Sequence, residues 1–163
     1  MDNPLDDDRL TLAGLLIESS VGLRARLGRR LEDECGISLQ WFDLLIRLAR
    51  SPGHRLRMAE LAAQTVLTPS GLTRAVDRLK EAGLISRTAC PSDRRGAFAV
   101  LTTEGLRRVR TAVPVHLVHL EEDFTGVLSE AERSQLKELL HKIRDHVNPG
   151  ARPSGHLARS PHP

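Results

Sequence analysis

Aromatic side chains are nearly absent: three Phe, one Trp and no Tyr make up 2% of the 163 residues. An interior without them has to be filled by Leu, Val, Ile and Ala, as in Leu-dominated helical proteins, so helix is favoured before any periodicity is considered. Cysteine is scarce as well. Cys35 and Cys90 supply neither a disulfide framework nor the spacing of a metal-binding pair, which fits a reducing compartment. No apolar run approaches the roughly 20 residues that span a bilayer. The acidic start, Asp6-Asp7-Asp8, is the reverse of a secretory signal's basic opening. The expectation is a cytoplasmic protein with no membrane partner. Also missing are a glycine-rich phosphate loop, a nucleophile motif and any ordered set of acid, base and orienting group. The chain is therefore not read as an enzyme, and it implies no cofactor.

What is present is the composition of an ordinary folded protein, with 40% hydrophobic and 28% charged residues. Its length suits one compact unit, or a small binding lobe with an added assembly element. The net charge is only +3, but the basic residues are overwhelmingly Arg and alternate along the chain with acidic stretches. Their distribution matters more than their sum. Local Arg clusters fit a nucleic-acid binder, and an Arg-rich genome gives the same counts.

Periodicity predicts a long first helix over Arg9–Glu34, with Leu10, Ala13, Leu16, Ile17, Val21, Leu23, Leu27 and Leu31 at helical spacing and Gly36 as its stop. Ser38 announces a second helix carrying Phe42, Leu45, Ile46 and Ala49 on one face, halted by Ser51, Pro52 and Gly53. Arg55-Leu56-Arg57 reads as a short extended piece and Met58–Thr65 as a brief helix. Thr68-Pro69 is the sharpest start in the chain, because Thr caps free N–H groups while Pro is pre-set for the first helical position. The fourth helix that follows buries Leu72, Ala75, Val76 and Leu79, exposes Ser70, Thr73, Arg74 and Asp77, and ends at Gly83. Leu84–Thr88 and Ala97–Leu101 alternate as paired strands around a polar turn from Pro91 to Gly96. Thr102 caps a fifth helix with a stripe of Leu106, Val109, Val113, Leu117, Leu120 and Phe124, which Pro114 is expected to bend. Ser129 and Glu132 form a capping box for a last helix bearing Leu136, Leu139, Leu140, Ile143 and Val147. Residues 149–163 hold four of the nine prolines and read as a disordered tail. There is no internal repeat.

Two short helices joined by a tight turn, the second strongly capped and polar on its outer face, are the elements of a helix-turn-helix, and the hairpin after it makes the unit winged. In such a unit small polar and Arg side chains near the start of the second helix reach base edges and phosphates in a major groove. Thr68, Ser70, Thr73, Arg74 and Arg78 occupy that region, Gly71 lets backbone approach closely, and Arg74 is the leading candidate for a base contact. The hairpin tip Asp93-Arg94-Arg95-Gly96 puts two guanidinium groups where they suit a narrow minor groove, with Asp93 able to hold one of them. Taken alone, either feature is also what a solvated helix face or a charged loop presents. Their correct order makes each corroborate the other.

From about Arg9 to Val147 the sequence resembles the MarR family of bacterial transcriptional regulators. The resemblance rests on Leu67-Thr68-Pro69-Ser70-Gly71-Leu72-Thr73-Arg74-Ala75-Val76-Asp77-Arg78-Leu79, the link Gly83-Leu84-Ile85, and Asp93-Arg94-Arg95 leading to Leu101-Thr102-Thr103-Glu104-Gly105. It implies a mainly α (α+β) winged helix-turn-helix fold with long N- and C-terminal dimerisation helices. The expected division is a dimerisation helix at 1–36, the DNA-binding lobe at 37–101, dimerisation helices at 102–148 and the tail at 149–163. The implied function is a homodimeric regulator of double-stranded DNA with a near-palindromic operator, a repressor released by a small-molecule effector or by thiol oxidation. The outer helices carry more apolar stripe than one small lobe covers, which favours a homodimer independently.

Three sensing arrangements remain open. Cys35 and Cys90 are candidates for a redox switch if Arg87 or Arg94 lowers a thiol pKa, and passive small residues otherwise. The oxidation-sensing branch of the family, however, places its cysteine nearer the start of the first helix, where this chain has none. His116 and His119, with Asp123, share a helix face and are either the beginning of a metal site or ordinary interface residues; no metal is assigned. A small anionic or aromatic effector between the dimer helices and the winged lobe is the third. A winged helix used for protein contacts alone is a further alternative, and it is expected to lack the wing arginines that are present here.

Overall fold

The computed structural model of the chain describes residues 3–90 and 93–151, with backbone alone at Cys90 and at 93–95. Helices begin where a side chain takes up free N–H groups. The first, α1 (Asp8–Cys35), follows a 3-10 turn at Pro4–Asp6 and is capped by Asp7, whose carboxylate accepts from the Arg9 backbone N–H. It stops at Gly36, left-handed at φ 60°, whose N–H returns to the Glu32 carbonyl at 2.9 Å. Ser38 caps α2 (Leu39–Ala49), and a 3-10 turn at Pro52–His54 leads into β1 (Arg55–Arg57). Two further helices, α3 (Met58–Ala63) and α4 (Pro69–Glu81), precede the hairpin of β2 (Ile85–Cys90) and β3 (Asp93–Leu101). The chain then runs through α5 (Thr103–Asp123) to α6 (Glu130–Val147), which the Ser129–Glu132 capping box starts.

The three strands form one antiparallel sheet in the order β1-β3-β2, with Leu56 opposite Ala99 and Ser86 opposite Val100. A Leu-rich core lies between this sheet and α2, α3 and α4, closed by the end of α1 and the first half of α5. The burial of α2 and α5 differs from the sequence reading. On α2 the buried residues are Phe42, Leu44, Leu45 and Leu48, while Ile46 and Ala49 are only half-buried, because α2 contacts α1, α5 and the sheet at once and so buries more than a single stripe. On α5 the stripe holds at Val109 but then follows Ala112, His116 and His119, leaving Leu117 58% exposed. The helix continues through Pro114 as one element. Residues 149–151, expected to begin the tail, form a 3-10 turn at Pro149–Ala151, and 152–163 lie outside the described residues.

Thr102 fastens the lobe to α5. Its hydroxyl donates to the Gly83 carbonyl at 2.7 Å and accepts from the Gly105 N–H at 3.0 Å, so one side chain ties the end of α4 to the start of α5. The closeness of that junction requires glycine at 105: a Cβ there would lie 2.0 Å from the Leu84 carbonyl oxygen and 2.8 Å from Leu101 Cδ1. Farther along, α1 and α5 are clamped by Asp123, whose side chain is only 2% exposed and faces Arg26 at 2.8 Å and Arg30 at 3.1 Å. Arg30 also reaches Glu122 at 2.7 Å.

The two histidines of α5 fill space beside this clamp. His116 packs its ring 4.6 Å from that of Phe42 and 6.5 Å from that of His119, and its Nδ1 has no hydrogen-bond partner among the described residues. Burial, with His119 as a smaller contribution, holds the His116 pKa below the ordinary histidine value. His119 Nε2 lies 2.9 Å from Glu34 Oε1, but the approach is too misaligned for a hydrogen bond.

Two outcomes follow from this packing. Gly105→Ala lowers unfolding free energy by about 3 kcal/mol, since overpacking against backbone has no flexible side chain to displace; a chemical-denaturation midpoint unchanged from the parent would contradict the close approach. Because the folded-state pKa of His116 is depressed, the unfolded chain binds more protons, and stability falls as pH drops through the ordinary histidine range towards the lower folded value. His116→Leu removes that component, so its thermal midpoint declines less than the parent's between about pH 7.5 and 5.5. Equal declines would show that His116 carries no such linkage.

Candidate nucleic-acid interface

Helix α4 is amphipathic in the strict sense that its two faces have separate tasks. Leu72, Ala75, Val76 and Leu79, spaced i, i+3, i+4, i+7, are all buried in the core. Ser70, Thr73, Arg74, Asp77 and Arg78 share the opposite face, where Ser70, Thr73, Arg74 and Arg78 are exposed and Asp77 is half-buried. Burial of the first set therefore fixes the direction of the second.

At the start of the helix Thr68 Oγ1 accepts from the Gly71 N–H at 3.1 Å and lies 3.3 Å from Ser70 Oγ, with Pro69 in the first turn. Gly71 has a local reason to be glycine: a Cβ there would sit 3.1 Å from Thr68 Oγ1 and crowd the cap. Thr73 donates its hydroxyl to the Pro69 carbonyl at 3.0 Å, so it is engaged with its own helix. Arg74 and Arg78, one turn apart, have no ion pair or hydrogen bond from their side chains among the described residues. They are the uncommitted cations of this face, and guanidinium groups of this kind suit bidentate contact with guanine edges or phosphates.

Asp77 is different. Its Oδ1 lies 3.1 Å from Nη1 of Arg87, which reaches across from β2. Arg87 was a candidate for lowering a cysteine pKa; the structure instead directs its guanidinium to α4. The hairpin itself is longer than expected. β3 begins at Asp93, so the backbone of Asp93, Arg94 and Arg95 is strand and not turn, and Cys90 pairs with Asp93 after an irregularity between Ala89 and Cys90. The side chains of Cys90, Asp93, Arg94 and Arg95 lie outside the described residues; among those described, the structure brings together the helix members of the predicted site.

One feature was missed in the sequence. On the outer face of the sheet the guanidinium carbons of Arg55 and Arg57 lie 5.1 and 5.7 Å from the centre of the Phe98 ring, with Arg57 opposite Phe98 in register. The alternation Arg-Leu-Arg, with Leu56 buried, was the available signal. Of the sensing candidates, Cys35 is a free, half-buried thiol at the end of α1 packed against the core. Asp123 is committed to Arg26 and Arg30, not to the histidines, and among the described residues no three His, Cys, Asp or Glu side chains are arranged to hold a metal ion. Nor is any described helix long and apolar enough to cross a membrane.

Known proteins share this arrangement. The MarR family model matches residues 36–96, which comprise α2 through the start of β3. The regulator PecS of Dickeya dadantii is 30% identical over 112 residues, covering 68% of this chain and 67% of PecS. The regulator MhqR of Bacillus subtilis is 30% identical over 86 residues, a match spanning 59% of its length. Among solved structures, Sco3205 of Streptomyces coelicolor, a MarR family regulator crystallised in complex with DNA, superposes with a TM-score of 0.81 at 33% identity, covering 91% of this chain and 93% of that one. AbsC of the same organism gives 0.81 at 30% identity, over 91% and 99%. The winged lobe, the long helices on either side of it and these matches over nearly the whole described chain agree: the protein belongs to the MarR family, whose members are transcriptional regulators and not enzymes.

Proposed function

We propose that this chain is a cytoplasmic, homodimeric regulator that reads a near-palindromic operator by placing α4 of each copy in successive major grooves and its wing in the flanking minor groove. The observation that carries the reading is the capped, outward face of α4, with Arg74 and Arg78 facing solvent and unpaired among the described residues. Sco3205, alike over nine-tenths of the chain, is known in complex with DNA, which supports the same use of this face. Arg74 is assigned the base contact, Thr68, Ser70 and Arg78 the neighbouring phosphates and edges, and Arg94 and Arg95 the minor groove.

Pairing of two copies is supported by what one copy leaves uncovered. Ahead of Leu27, α1 exposes Leu12, Leu15, Ile17 and Val21, and α6, with no buried residue, exposes Leu139, Ile143 and Val147. Contiguous exposed apolar surface of this kind marks an interaction face. A groove of roughly 570 Å³ beside α6 has a floor of Leu128, Leu136 and Leu140 and cations at Arg133, Lys137 and Arg144, a chemistry that fits an apolar helix with an acidic lead such as α1. Repression relieved by a small effector completes the proposal: a ligand favouring a wrong spacing of the two lobes releases DNA.

The test is a mobility-shift titration against duplexes selected by the protein from a random pool. Binding is steeply salt-dependent, because phosphate contacts release counterions. Arg95→Ala weakens all duplexes alike and lowers the salt slope by about one, whereas Arg74→Ala loses about 1–3 kcal/mol on the selected duplex and relaxes the preference at one base pair. Two variants that bind like the parent would show that the face is misassigned.

A further inference from the structure

We propose that Asp77 and Arg87 form a positioning clamp that sets the angle of the wing against the groove helix, and that neither side chain serves as a DNA contact. This rests on the DNA-binding reading above. The need for a clamp follows from how the hairpin leaves α4. The helix ends in a tight turn in which the Gly83 N–H returns to the Lys80 carbonyl and the Leu84 N–H to the Leu79 carbonyl, both at 2.9 Å, with Gly83 left-handed at φ 71°. Any change in the angle between hairpin and helix has that turn as its pivot. β2 extends from it for six residues, Ile85–Cys90, and at about 3.3 Å per residue a swing of about 10° moves its far end by roughly 3 Å. A displacement of that size takes a guanidinium out of hydrogen-bond range of its phosphate or base.

The Asp77–Arg87 pair spans the two elements away from the pivot, six residues before Gly83 on one side and four beyond it on the other. Its 3.1 Å contact joins a half-buried carboxylate to Nη1 of a guanidinium whose Nε is buried with no hydrogen-bond partner among the described residues. Arg87 lies two residues after buried Ile85, on the same face of β2, and its half-buried side chain reaches the helix at Asp77. The pair also accounts for an acidic residue on a face meant for phosphates: with Arg87 beside it, Asp77 presents little net charge to the groove.

The sign of one substitution separates this role from simple electrostatics. If Asp77 were only a negative charge near DNA, Asp77→Asn would tighten binding. As half of a clamp, it weakens binding to a selected duplex by roughly tenfold. Asp77→Glu, which keeps the charge and can still reach Arg87, stays within about threefold of the parent, and Arg87→Gln resembles Asp77→Asn with the parent's salt slope. In the free protein, hydrogen exchange of the β2 amides rises in D77N and R87Q with the far-UV spectrum unchanged. The clamp is overturned if D77N binds as tightly as the parent or tighter, if D77E is no better than D77N, if R87Q lowers the salt slope by about one as a phosphate contact would, or if β2 exchange is unmoved. A parent that bound no selected duplex would remove the DNA-binding reading itself. A parent that bound, with any of those results, would remove the clamp alone.

Discussion

The orientation of α4 depends on four apolar side chains. Leu72, Ala75, Val76 and Leu79 occupy one stripe of a 13-residue helix, and burying them leaves the helix almost no freedom to turn about its own axis. Each fully buried Leu or Val is stabilised by roughly 1.5–3 kcal/mol over its exposed state. Rotating the helix by a quarter turn would expose this stripe and bury Arg74 or Arg78, an unpaired charge that the core has no means to satisfy. Specificity in the outward face is thus imposed by the inward one. The Thr68 cap, the Thr102 bridge between Gly83 and Gly105, and the missing Cβ at Gly105 then fix where along the chain that helix begins, ends and meets α5.

A second constraint comes from length. The 28 residues of α1 extend roughly 42 Å at 1.5 Å per residue, more than the winged lobe offers to pack against. Only Leu27 and Leu31 of that helix are buried, and they are the ones near α2 and α5. The charged clamp of Asp123 with Arg26 and Arg30 marks where the packed part of α1 begins. Beyond it the helix is amphipathic with its apolar side open, as is α6. Two such surfaces, one acidic at its lead and one beside a basic groove, support the proposed pairing of two copies.

Much of this was legible in the sequence because capping is local. Asp7, Ser38, Thr68, Thr102 and Ser129 each start a helix within a residue or two of where the pattern put it, and Gly36 and Gly83 are left-handed where the helices end. Of the candidate site, the helix residues Thr68, Ser70, Thr73, Arg74 and Arg78 were legible because all lie within one periodic element. What was not legible depends on distance along the chain. The pairing of Asp123 with Arg26 and Arg30 joins residues more than ninety positions apart, and nothing near any of them announces it. Arg87 looked like a neighbour of Cys90 until the turn at Gly83 set it against Asp77. On α5 the apolar stripe was read through Leu117, yet within one copy the core lies on the side of Ala112, His116 and His119, because hydropathy alone does not say which of two apolar faces meets the same chain.

The proposed reading of an operator requires two α4 helices held at a fixed separation on one face of a duplex. Hydroxyl-radical footprinting of a selected duplex tests this most directly. Two protected patches on the same face, with centres about one helical turn, roughly 34 Å, or a multiple of it apart, are the predicted result. A single protected patch of half that symmetry, or protection without a fixed spacing, would contradict it.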